Sequence, residues 1–152
     1  MDVSEPVRVD TVLAPVDGSD DSEAAVEYAV AIADRYDASV HILFVLGREV
    51  VHGMDAGAVE EGEVAETTQD FLEEVTAISD AYDVPLTTSV AHGFSPSIKT
   101  RHPGSVVLDA ADAVAADFIV LPRESVTDAP TDVLEKAAEY VLSYASQPVL
   151  SV

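Results

Sequence analysis

The chain has 152 residues, and its 29 Asp and Glu against seven Lys and Arg give a formal net charge of −22, which disfavours nucleic acid and anionic membrane as partners. A hydrophobic content of 48% excludes a disordered acidic tail, so apolar and charged residues must be segregated into a core and a surface. With no cysteine there is no disulfide framework, no thiolate metal site and no thiol nucleophile.

In chain order, MDVSEPVRVD is acidic and has no apolar stretch of signal-peptide length. No later run reaches the ~18 residues that a membrane helix needs, so a soluble cytoplasmic protein is expected. TVLAPV (11–16) is β-rich, apolar and ended by Asp-Gly, the pattern of a strand buried on both faces. Over residues 22–36, Ala25, Ala29, Ile32, Ala33 and Tyr36 form a helical stripe. Asp20 and Glu23 put acids at its start, where the helix dipole favours them. SVHILFVL (39–46) predicts a second strand, and residues 47–62, with four glycines, a long connection.

Val64, Thr68, Phe71, Leu72, Val75 and Ile78 then mark one face of the clearest helix, with acids such as Glu66, Asp70, Glu73, Glu74 and Asp80 over much of the remainder. PLTTSVAHG (85–93) predicts a third strand whose polar interruptions suit a sheet edge. Residues 94–104 read as a loop, 105–115 as an Ala/Val-rich helix and DFIVLP (117–122) as a fourth strand. A helix over 131–143 and a fifth strand, PVLSV, close the chain. This alternation predicts one α/β domain over 1–152: a doubly wound parallel sheet of five strands with helices on both faces. Ligands of such sheets sit outside the carboxyl ends of the strands.

VLAPVDGSDDSEAAVEYAVAIA resembles the N-terminal signature of the universal stress protein family, in which a strand ending in P-x-D-G-S leads into a helix. ADFIVL followed by YASQPVLSV resembles the same family's closing strand, helix and strand. The resemblance implies strand order 3-2-1-4-5 and a homodimer made by the final strands, with Val149, Leu150 and Val152 in the interface. An apolar edge strand suits that role, although its preceding helix could shield it instead. The acidic composition is similar to that of proteins from salt-accumulating archaea, and the charge reads as adaptation to that solvent.

In ATP-binding members of the family, adenine and ribose contact the first strand's Asp and a residue near the end of the second. Here those positions match Pro15, Asp17 and Val45, although Asp17-Gly18 also makes an ordinary strand-to-helix turn. The resemblance also implies a triphosphate site, built from G-x-x-G, nine residues, then G-S or G-T after the fourth strand. Pro122, Ser125, Glu135 and Lys136 stand at those positions, and no glycine occurs after Gly104. Pro122 lacks a donor, while Glu135 and Glu124 would repel phosphate. ATP is therefore not expected as a cofactor, whereas AMP or another anion remains open.

Of the seven basic residues, Arg48, Lys99, Arg101, Arg123 and Lys136 follow the carboxyl ends of strands, which allows a local anion site or ordinary pairing with carboxylates. Arg123 and Lys136 are the candidate contacts. His41, His52, His92 and His102 lack metal-ligand spacing, and Ser19 lacks the preceding glycine of a nucleophile elbow. No catalytic residue, metal or cofactor is assigned. The expectation is a stress-response or regulatory dimer without ATP, with an unidentified protein partner. The alternative is a nucleotide- or anion-binding switch, and weak nucleotide hydrolysis ranks last.

Overall fold

β1 (Thr11–Val16) is apolar along nearly its whole length because both its faces are covered. It is the middle strand of a parallel sheet in the order β3-β2-β1-β4-β5, the expected topology. The computed structural model describes residues 7–46, 56–57, 60–92, 102–122 and 133–152, with backbone alone at 61, 92 and 133–136. The further elements are α1 (Asp20–Tyr36), β2 (Ser39–Leu46), α2 (Glu61–Ala81), β3 (Leu86–His92), α3 (Pro103–Ala113), β4 (Phe118–Leu121), α4 (Val133–Tyr144) and β5 (Val149–Ser151).

α1 and α2 cover one face of the sheet, packing Val26, Val30, Phe71 and Val75 onto Val12, Ile42 and Phe44. α3 and α4 cover the other, with Val107, Ala137 and Val141 over Leu13, Leu43 and Ile119. Each fully buried Val or Leu contributes about 1.5–3 kcal/mol to the sandwich. Acids in the first turn of α1 are borne out at Asp20, Asp21 and Glu23. β3 lies at a sheet edge, as its threonines and serine suggest.

Several boundaries differ from the sequence reading. α1 starts two residues early because Ser19 caps it. The loop expected through Gly104 gives way to helix from Pro103, whose ring favours the first helical turn. The His102 Nδ1 accepts from Gly104 N–H at 3.0 Å and caps that helix. Gly104 belongs there because the Tyr140 side chain lies 2.5 Å from where a Cβ would sit. Most of the expected connection over 47–62 and of the loop over 94–104 lies outside the described residues.

Candidate functional site

Strand order reverses between β1 and β4, and there Pro15 matters through the donor it lacks. Ser39 N–H donates to Asp10 C=O and Asp117 N–H to Thr11 C=O, so odd-numbered residues of β1 face β4. Pro15 is in that row without an N–H, and β1–β4 pairing ends at Leu13↔Ile119 while β1–β2 pairing continues to Val16↔Phe44. The two strands therefore part at their carboxyl ends, the place where such sheets receive ligands. At the opposite end they are clamped, since Asp117 Oδ2 accepts from Asp10 N–H at 2.8 Å and Thr11 N–H at 3.0 Å.

Above the parting, Asp17, Gly18 and Ser19 turn the chain into α1. Asp17 Oδ1 accepts from the Ser19 N–H at 3.0 Å and from the Ser19 hydroxyl. Ser19 Oγ in turn accepts from Ser22 N–H at 3.2 Å, and the Ser22 hydroxyl donates to Ser19 C=O at 2.8 Å. Gly18 has φ +88° and passes over Phe44, whose ring lies 3.3 Å from an added Cβ. The aromatic under the turn was not legible in sequence, because either of the adjacent Phe44 and Val45 suits a strand end.

This helix end is closed by its own side chains and surrounded by acid. Asp17, Asp20, Asp21 and Glu23 all lie within its first turn and approach. Burial, with Glu74, Glu27 and Asp20 close by, raises the Glu23 carboxyl above its ordinary value of 4.5. The helix dipole is thus met by carboxylates of the chain itself.

The other residues singled out in the sequence fall as follows. Pro15 is buried in β1, Asp17 is half-buried, and Val45 is 1% exposed, packed with Leu43 and Leu121 on the α3–α4 side. Pro122 is buried just past β4. Arg48, Lys99, Arg101, Arg123, Glu124 and Ser125 lie outside the described residues, as do the side chains of Glu135 and Lys136 in α4. Val149, Leu150 and Val152 are half-buried at the β5 edge.

Away from this turn, His41 on β2 contacts Thr87 Oγ1 through Nδ1 at 2.7 Å and Ser89 Oγ through Nε2 at 2.8 Å, and burial lowers its pKa below the ordinary 6.5. Among the described residues no His and carboxylate side chains converge as a metal site. No described helix is long and apolar enough to cross a membrane.

Residues 8–152 match the model of the universal stress protein family. A universal stress protein of Methanocaldococcus jannaschii is 28% identical over 144 residues, spanning 93% of this chain and 80% of that protein. A universal stress protein solved in complex with cAMP superposes with a TM-score of 0.65 at 20% identity, over 96% of this chain and 98% of that one. The universal stress protein of Archaeoglobus fulgidus in complex with dAMP does so with a TM-score of 0.63 at 17% identity, again over 96% and 98%. These two likenesses speak for the fold. By a family match that runs from Arg8 to the last residue, this chain belongs to the universal stress protein family.

Proposed function

We propose that this chain is a universal stress protein of the kind that does not bind ATP, working as a single-domain regulatory homodimer rather than as an enzyme. The observation that carries this reading is the state of the α1 N-terminus. Two of its N–H groups, those of Ser19 and Ser22, are taken by Asp17 and Ser19, and carboxylates surround it. The absence of any glycine after Gly104 adds to this, since glycines are what let backbone N–H groups approach phosphate oxygens closely. The composition supports an origin in a salt-accumulating archaeon, with the protein in its cytoplasm.

The dimer would form through β5, where Val149, Leu150 and Val152 line a short edge strand. Sedimentation at molar KCl checks this: a dimer that Leu150→Lys converts to monomer supports it, and a wild-type monomer refutes it.

A second reading is favoured by one feature. Asp17 Oδ2 accepts no hydrogen bond from a described residue and lies where β1 and β4 part. A nucleoside monophosphate could use that oxygen through its ribose, with Arg123 or Lys136 at the phosphate and Val45 behind the base. The folds solved with cAMP and dAMP are compatible with such a ligand. Thermal shift in molar KCl with ATP, AMP and sulfate separates the readings. No shift with any of them supports the ligand-free regulator. A clear rise with ATP overturns it, and a rise with AMP or sulfate alone favours the switch.

A further inference from the structure

The sheet has two edges, and they are unlike. β5 has three residues, whereas β3 has seven, LTTSVAH, with Thr87, Thr88 and Val90 exposed. The direction of its backbone follows from the ladder. Val40 N–H donates to Pro85 C=O, and Val40 pairs with Leu86, so odd-numbered residues of β3 bond to β2. Leu86, Thr88 and Val90 therefore point their N–H and C=O groups away from the sheet, and no described residue pairs with them. Exposed edges are usually blunted by Lys, Pro, a bulge or shortness. Apart from Pro85 just before it, the described part of this edge has none of these, and its outward residues Leu86, Thr88 and Val90 are uncharged within a chain of net charge −22.

The same residues put their side chains on the α2 side of the sheet. There a groove of about 340 Å³ runs between α2 and β3, lined by Gln69, Leu72, Glu73, Thr76, Asp80 and Thr88. Its floor is apolar or hydroxylic, and Val90, 53% exposed, continues it along the strand. Glu73 and Asp80 form no ion pair with a described residue; Glu73 takes only a long hydrogen bond from Gln69, 3.5 Å. Two acids thus flank a row of unmet backbone donors and acceptors.

We propose that the outward edge of β3, unpaired among the described residues, and this groove receive an extended basic peptide segment of a partner protein, which adds a sixth strand to the sheet. Backbone groups of Leu86, Thr88 and Val90 hold its main chain, its alternate Lys or Arg lie on the α2 side beside Thr88 and reach Glu73 and Asp80, and its intervening apolar side chains lie on the opposite face with Thr87 and Ser89. Charge selects the occupant. At this edge a second copy would set Glu73 and Asp80 against the same acids of its mate, whereas a basic segment meets them with the opposite charge.

The test uses the whole chain and a ten-residue peptide of alternating valine and lysine, at the lowest KCl concentration that keeps the fold intact by circular dichroism. Fluorescence anisotropy should show saturable binding that a valine–glutamate peptide lacks. Thr88→Pro removes an outward N–H without touching the ladder to β2, and is expected to weaken binding about tenfold or more while the melting curve stays near wild type. Glu73→Gln with Asp80→Asn should weaken it similarly and flatten its salt dependence. A valine–lysine peptide N-methylated at every residue keeps the charge but has no N–H left on either edge to pair with the strand, and should not bind. Equal binding of that peptide, or none by the unmethylated one, overturns the proposal. So does a change of oligomeric state in Thr88→Pro, which would give the edge to a second copy.

Discussion

Gly18 sits at a position that only glycine occupies comfortably. Its φ of +88° is strained for a side chain, and the Phe44 ring is 3.3 Å from an added Cβ. Gly18→Ala should cost about 1–2 kcal/mol, seen as an earlier denaturation midpoint at constant KCl. His41 makes a prediction about pH. Its imidazole, held by Thr87 and Ser89 and pushed down by burial, takes a proton only below the ordinary 6.5 at which the unfolded chain takes one. Between those values the unfolded state binds more protons, so stability falls as pH drops below 6.5 and levels off past the folded value. His41→Gln should flatten that part of a stability-against-pH curve, and an unchanged slope would remove His41 as its source. Both residues were visible in the sequence, yet their roles depend on neighbours 26 and 46 positions away, Phe44 and Thr87, which only the folded sheet supplies.

Helices and strands are joined at points that can be tested one by one. α1 and α2 meet with their acids together, and Glu23 is raised by burial and then by Glu74, Glu27 and Asp20. Its folded carboxyl takes up a proton before the unfolded one does near 4.5, so this site gains stability as pH falls toward that value. At neutral pH, Glu23→Gln should stabilise by about 0.2–0.5 kcal/mol, the worth of one relieved i,i+4 repulsion. The gain should disappear near pH 4.5 in the same melting series. Asp117 does the opposite kind of work, holding Asp10 and Thr11 to the start of β4. Asp117→Ala should cost about 2 kcal/mol, and Asp117→Asn less because an acceptor oxygen remains.

Element identities were readable from apolar periodicity and turn residues, since periodicity and burial are one physical fact, whereas the strand order came from the likeness of the chain's two ends to the family. The start of α3 was not readable. Pro103 and Gly104 have turn chemistry in sequence, but one opens a helix and the other makes room for Tyr140. The site was half legible: P-x-D-G-S located the turn, whereas the direction of Pro15 toward β4 required the register.

At the scale of the molecule, charge is the dominant variable. A body of net charge −22 with two lysines repels itself wherever salt does not screen it. Thermal midpoints should rise steadily with KCl, and ellipticity at 222 nm should fall on dilution below ~0.1 M, where the Debye length exceeds about 10 Å. A flat profile would mean that the acids are spread widely enough to be harmless. Pro15 has a mechanical consequence as well. β3, β2 and β1 form one leaf and β4 and β5 another, and the leaves are stitched by two register pairs with the Asp117 clamp at one end. α1 packs on β1 and on β4 alike, so it acts as the spine of a partly opened book. The Asp17–Ser19 turn is bonded directly to the end of that spine, so it sits at the fold line between the two leaves.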